Sequence, residues 1–445
     1  MAGSEADSDW SFSFTDNSLW KLKERLKYTG WLQYCIGFFW AVPPLLLSSV
    51  EHWIMGSAVY MPGLAVGLLG LATFELATCK YNIRPTEALP VSPNPKIQTD
   101  IAAIKARYAC RSYQSRNLTP EHRQEIMTVA QTHIQNKLFA EHKIRFEYMA
   151  QPLVVWPAVN CKEFMVAIAP KSYYSKHAIM DVGRALEKTV IHATKLGIAS
   201  CIIGPGADHK STIETLGPQK FDVEQDHIIC VCALGYQSTY APSFIRLISK
   251  AMRNRLPPAQ LFFKDAKCTI PITEPELTQE PYAIFQQALE CARWSPSSYN
   301  AQTTRGVLAI EEKSIDDKKL VIQQFDVYRA NKSKYYATVA VGIWMANWEL
   351  ACQQLGLAGT WMVDPSREQE NASTTEPPLY DISWVLDKPI PVTTTQASAT
   401  ATALGETSPL IAKNKWSRHL CEVGWWSTLI LDKTVAALIQ VAKNK

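Results

Sequence analysis

The chain has 445 residues, 47 % hydrophobic and 19 % charged, enough for two or three domains that each bury a core. Its 45 basic and 41 acidic residues leave a net charge of only +4. That is too balanced to suggest nucleic-acid binding, which wants a strongly basic face.

After a cytosolic N-terminal segment, 1–28, residues 31–50 carry no charge, and neither do residues 53–74. Each run is long enough to cross a hydrocarbon core of about 30 Å as a helix. Only Glu51 and His52 separate them, so residues 29–78 are expected to form a transmembrane helical hairpin. Trp31, Trp53 and Tyr60 sit near plausible interfaces, while Pro43 and Pro44 favour a kink or a shallow re-entrant turn. A buried helical pair in a soluble core is the alternative. Lys21, Lys23, Arg25 and Lys27 precede the hairpin and Lys80 and Arg84 follow it, which puts both ends, and the body beyond, on the cytosolic side. The sequons at Asn117, Asn331 and Asn371 would then be unused.

A Pro-rich linker, 79–97, leads into the body. Apolar runs at 163–169, 227–234 and 380–386 read as strands. Helices are expected from about Met180 to Gly197 and from about Ala337 to Gly356, each closed by its glycine. The two repeat each other: DVGRALEKTVIHATKLGIASCI (181–202) lies over AVGIWMANWELACQQLGLAGTW (340–361) without a gap. Val182 and Val341, Gly183 and Gly342, Leu196 and Leu355, and Gly197 and Gly356 coincide. Two copies of one unit suggest a fused pseudo-dimer, with halves at 98–270 and 271–391. The Thr/Ala/Ser tract 392–410 reads as a disordered linker, and the tail 411–445 as carrying a helix over 424–442.

Eleven cysteines are scattered, and only Cys230 and Cys232 are close. Their spacing on a strand suits buried small side chains better than a metal site, so no metal is expected and the thiols are read as free.

Four weak sites remain. Arg107 and Arg111 in RYACRSY are four apart, and on a helical turn both guanidiniums would close on one phosphate. Gly204-Pro205-Gly206 permits a flat ligand close to the backbone, but it is neither a dinucleotide fingerprint nor a P-loop. Arg253 and Arg255 form a second basic pair. The tract Ser295-Pro296-Ser297-Ser298-Tyr299-Asn300-Ala301-Gln302 follows a helix and offers hydroxyls and two amides in a Pro-fixed turn.

Taken together, and in this order, RYACRSY, DVGRA…LGIASCIIGPG, ALGY, RNRLPP and SPSSYNAQ resemble the motifs of the nitroreductase family. The resemblance is greatest to its subfamily with two half-copies fused in one chain, and it covers roughly residues 98–390. It implies an α+β fold, a nitroreductase-like pseudo-dimer that binds FMN between its halves and shuttles hydride from NADH or NADPH to a nitroaromatic, quinone or similar acceptor. The chemistry would be the flavin's, with no catalytic side chain. Arg107 and Arg111 would hold the phosphate and ribityl end, supported by Arg253 or Arg255. Gly204 and Gly206 would border the flavin, with the Gly206 N–H near N5. Pro296, Ser297, Ser298, Asn300 and Gln302 would reach over the isoalloxazine. A single complete site per chain is implied, so a monomer would suffice.

Three positions depart from the family pattern. Ala109 replaces a serine, Thr303-Thr304 stands where Pro-Trp is usual, and Pro205 cannot donate a backbone hydrogen bond. Each lost neutral hydrogen bond weakens binding by about 0.5–1.5 kcal/mol. These departures leave room for a non-catalytic membrane protein that keeps the fold for flavin or partner binding, or for a scaffold without flavin.

Overall fold

The computed structural model describes Leu26 and residues 31–392, with breaks at 140, 154, 172–174, 205–206, 316, 332–334 and 374–375. Outside the described residues lie Pro205 and Gly206, the tract from 393 to 410, the tail with its expected helix over 424–442, and nearly all of segment 1–28.

Two helices come first, α1 (Leu32–Met55) and α2 (Tyr60–Glu75), with a π-helical turn at Leu76–Lys80 prolonging the second. The sequence put the turn of this hairpin at Glu51 and His52. It lies later, because Glu51 to Met55 stay helical and Gly56, at φ 70°, closes α1. Glu51 acts as a cap for the next helix, its carboxylate accepting from the backbone N–H groups of Val59, Tyr60 and Met61 at 3.1, 2.7 and 2.8 Å. The helices approach closely where Gly37 faces Ala72, since a Cβ on Gly37 would stand 3.0 Å from the alanine's.

The body opens with α3 (Asp100–Ala106), capped by the Thr99 hydroxyl, and α4 (Pro120–Gln135), capped by Thr119. Next come β1 (Arg145–Met149), β2 (Glu163–Pro170), α5 (Lys176–Lys195), β3 (Ala199–Ile203), α6 (His209–Leu216) and β4 (Asp226–Gly235). The four strands form an antiparallel sheet in the order β1-β2-β4-β3. Strand β2 reads EFMVAIAP and is buried along nearly its whole length, as a central strand covered on both faces must be.

Helix α7 (Ser243–Ala251) leads to the second sheet, whose order is β5-β6-β7-β9-β8. Its strands are β5 (Phe262–Phe263), β6 (Thr304–Ile315), β7 (Asp317–Arg329), β8 (Gly359–Met362) and β9 (Leu379–Val392). Helix α8 (Gln286–Arg293) precedes β6, α9 (Tyr336–Gln354) follows β7, and α10 (Pro365–Ser373) precedes β9. The second sheet reaches back across 270/271 to pair Phe262 with Gly306. Strand β9 runs on to Val392, beyond the expected end at 386.

Helices α5 and α9 form the centre of the body, and both are buried nearly all round. Gly197 and Gly356, at φ 75° and 73°, follow them as the sequence indicated. Their residues share cores across the centre. Met180 and Ile191 of α5 pack with the second sheet, and Val339 and Ile343 of α9 pack with the first. A pile of aromatic rings fills the second core, with Phe325 stacked 4.0 Å from Trp348 and 5.1 Å from Trp344. Cys230 and Cys232 are free and buried on β4.

Candidate active site

RYACRSY is extended, and the sequence-based expectation of a helical turn fails here. Helix α3 ends at Ala106, and Arg107 turns to φ −60°, ψ 134°. The chain then runs beside β3, where Ala109 bridges Ser200 and the Cys110 N–H donates to the Ser200 carbonyl at 2.8 Å. Extended backbone repeats every two residues, so positions 107 and 111 still share a side. Both guanidiniums lie near the Cys201 thiol, whose pKa burial raises against their opposing pull.

Arg107 is buried against Glu187 of α5, with Nε 3.5 Å from Oε1. Glu187 is itself fully buried. Burial pushes its carboxyl above the usual range, while Arg107, Asn347 and Arg255 pull the other way. Asn347 of α9 donates to the Ser295 hydroxyl at 2.9 Å, tying this group to the start of the 295–302 tract.

That tract is held by the segment after α7. Arg255 donates through Nη1 to the Asn300 side-chain oxygen and through Nη2 to the Trp294 carbonyl at 3.1 Å. The Asn300 amide donates back to the Asn254 carbonyl at 2.7 Å. Leu256 N–H donates to Gln302 Oε1 at 2.8 Å, and Gln302 N–H to Ser297 Oγ at 2.8 Å. Tyr299, Asn300 and Gln302 adopt φ of 52°, 55° and 48°. Left-handed geometry costs a non-glycine residue about 1–2 kcal/mol, so these bonds hold the turn against its own backbone preference.

Arg255 links the two motifs. It bonds to the 300 turn, and its pKa is lowered to about 10, first by burial and then by the charge of Arg107. Arg253, by contrast, is exposed and rests over the Tyr108 ring at 4.8 Å. Pro296, Ser297 and Gln302 line a narrow cleft with Leu261, Ala340 and Trp344. Ser298 stands at the bend between Ser297 and the exposed Tyr299. Gly204 meets the residue that opens α9 directly, since a Cβ there would come within 2.5 Å of Tyr336 Cε1. The structure therefore brings together Arg107, Arg255, Asn300 and Gln302, and places Arg111 and Gly204 on the adjoining β3 side.

The sequence reading missed Glu187 and Asn347. Glu187 lies in phase with Gly183 and Val190, and Asn347 with Trp344 and Ala351. A polar residue on an otherwise apolar helical stripe was the available signal.

Several buried polar atoms here lack a hydrogen-bond partner: the Nε of Arg107, Arg111 and Arg255, both Glu187 carboxylate oxygens, and Asn347 Oδ1. Buried donors are ordinarily satisfied, so the spare Nε–H groups of Arg111 and Arg255, with Arg107 held by Glu187 beside them, fit an anionic group such as the phosphate of FMN.

A sequence profile of the family described as "Putative TM nitroreductase" matches residues 100–327. The chain belongs to this nitroreductase family. Its α+β body has the family's mix of helices and sheets. Among solved structures, a "putative nitroreductase" from Thermotoga maritima is 14 % identical over 65 % of this chain and 94 % of its own, with a TM-score of 0.38. An FMN-bound nitroreductase from Bacteroides fragilis is 18 % identical over 32 % of this chain and 90 % of its own, with a TM-score of 0.25. Another, from Desulfitobacterium hafniense with bound FMN, is 18 % identical over 33 % and 93 %, with a TM-score of 0.27. No curated protein matches the chain.

Proposed function

We propose that this nitroreductase is an FMN-dependent oxidoreductase anchored in a membrane. The observation that carries the reading is the pair of buried N–H groups without a hydrogen-bond partner on Arg111 and Arg255, beside Arg107 in its ion pair with Glu187, joined through Arg255 to the 295–302 turn. Arg107 and Arg111 would hold the phosphate and ribityl end, and Arg255 would add charge from the other side. Pro296, Ser297, Ser298, Asn300 and Gln302 would roof the ring, with Gly204 and Gly206 at its edge. Arg253, over the Tyr108 ring, would add positive charge beside Arg255. The chemistry supplied by bound FMN is hydride acceptance from NADH or NADPH and electron delivery to a nitroaromatic, quinone or similar small acceptor. The chain's own residues bind and orient, and no side chain need act as nucleophile or base.

We also read the body as two copies of one unit in a single chain. The repeat-equivalent glycines Gly183 and Gly342 meet where the central helices cross, which supports that reading. A monomer would then carry its site between its own halves.

The hairpin we read as two spans with the body on the cytosolic side. Tyr60–Lys80 is long and apolar enough to cross a membrane, alone among the helices of the described residues. Its partner α1 supports the reading with exposed Trp53, Leu46 and Trp40, at 85 %, 71 % and 61 %.

The decisive experiment is the visible spectrum of detergent-purified protein, with Arg107→Ala plus Arg111→Ala beside it. Flavin bands in the wild type and their loss in the variant are expected. Unchanged flavin content in the variant refutes the assignment.

A second reading, a non-catalytic flavin-binding or partner-binding protein, is favoured by one observation. The Asn300 and Gln302 side chains are engaged with Arg255, Asn254 and Leu256, inside the protein. Sustained NADH or NADPH consumption with an added quinone excludes it.

A further inference from the structure

A cavity of about 130 Å³ opens where the base of the hairpin meets the body. Leu71, Phe74 and Glu75 of α2 form one wall, and Tyr240, Ser243 and Arg246 the other. The volume equals about four waters' share of liquid, room for a phosphate with part of its glycerol.

Its surroundings match a membrane–water boundary. Leu71 and Phe74 are 46 % and 56 % exposed, and Leu247, next to Arg246 on α7, is 60 % exposed. Ile245 of the same short helix is buried, so α7 grips the body on one side and presents Leu247 outward with Arg246 beside it. The segment 240–255 contains Arg246, Lys250, Arg253 and Arg255 and no acidic residue. Lys80 completes the boundary, its ammonium 4.8 Å over the Trp31 ring, a pairing suited to head-group depth.

Glu75 is the acidic member of the cavity. Its carboxylate accepts from the Ser243 N–H at 2.7 Å and from the Ser243 hydroxyl, so it caps α7 and its charge is spent on that helix terminus. Arg246 donates through Nε to the Ala241 carbonyl at 2.9 Å, which fixes the guanidinium at the rim.

We propose that this cavity seats the head group of an anionic phospholipid, with α7 lying along the membrane surface beside the hairpin. Arg246 meets the phosphate, Leu71 and Phe74 accept the start of the acyl chains, and Leu247 dips into the interface. The proposal rests on the reading that the hairpin is embedded in a membrane.

The full chain, reconstituted in phosphatidylcholine vesicles, is probed by electron spin resonance with spin-labelled phosphatidylglycerol or phosphatidylcholine. The wild type should hold motionally restricted phosphatidylglycerol about fivefold more than phosphatidylcholine, the effect of one basic contact at the surface. Arg246→Gln should bring the ratio close to one, Arg246→Lys should restore most of it, and Lys220→Gln, at a position that precedes β4 whereas Arg246 follows it, should leave it unchanged. Equal restriction of the two lipids by the wild type, or a preference that survives Arg246→Gln, overturns the proposal. Carbonate washing separates the two failures: protein released by the wash overturns the membrane reading as well, whereas protein retained without lipid preference overturns the head-group site alone.

Discussion

Gly183 and Gly342 meet where the two central helices cross. A Cβ on Gly183 would stand 2.3 Å from the Val339 carbonyl oxygen and 3.2 Å from Gly342 Cα, and a Cβ on Gly342 would stand 2.0 Å from the Met180 carbonyl oxygen. Real Cβ atoms do not approach backbone so closely, so the helices pack at this distance because both residues are glycine. Gly183→Ala or Gly342→Ala should each push α5 and α9 apart at a cost of about 1–3 kcal/mol or more. Gly70→Ala, whose Cβ meets nothing within 4 Å, should cost far less. Urea midpoints of the three variants test this, and a Gly183→Ala protein as stable as Gly70→Ala would contradict it.

Glu187 competes for Arg107 with any incoming anion. Burial holds its carboxyl above the ordinary range, so it takes up a proton at higher pH than an exposed glutamate does. Acidification neutralises it and releases Arg107, while at neutral pH any carboxylate charge opposes the phosphate. Where Glu187 is ionised, Glu187→Gln should therefore bind FMN about tenfold more tightly than the wild type, with the gap closing as pH falls. Protonation of the phosphate is common to both proteins and cancels in the ratio. Flavin fluorescence quenching across a pH series reads the result; a ratio that is constant or widens on acidification sinks the idea.

Asn300 combines a left-handed backbone with two side-chain bonds, to Arg255 and to the Asn254 carbonyl. Asn300→Gly and Asn300→Ala both lose those bonds and should both retain less flavin. The alanine variant should also be less stable than the glycine variant by about 1 kcal/mol, the cost of a Cβ at positive φ. Thermal unfolding of the pair decides, and an alanine variant at least as stable as glycine would show that the turn relaxes to another geometry.

Gly204, after β3, and Tyr336, at the start of α9, form a contact that sequence spacing did not reveal. Gly204→Ala should displace the Tyr336 ring and cost about 1–3 kcal/mol. Tyr336→Ala removes the obstacle, so the double variant should be more stable than the sum of the two single effects implies. Strict additivity in that cycle would mean the ring moves aside freely.

The sequence was most legible where one force dominated. The helices around Gly183 and Gly342 and the strands at 163–170 and 226–235 carry long apolar runs closed by glycine or charge, and these appear close to where they were expected. Strands β6 and β7 escaped notice because their middle reads EEKSIDDKK, where charge conceals the pairing of Lys313 with Lys319 and Ser314 with Lys318. The Arg107 to Arg111 stretch was expected as a helical turn, but a long-range bond from Cys110 to Ser200 pulls it straight. Local propensity could not foresee that partner. Glu187 was passed over because a lone carboxylate in a helix usually faces water, and only the second helix packing on it makes it interior.

Met180 and Ile191 complete the core under the second sheet, while Val339 and Ile343 complete the core under the first. Each lobe thus lends its neighbour the plugs that close it. Severing the chain between α7 and β5 would yield fragments with holes where those side chains belong, so neither lobe is free to drift in sequence without the other compensating.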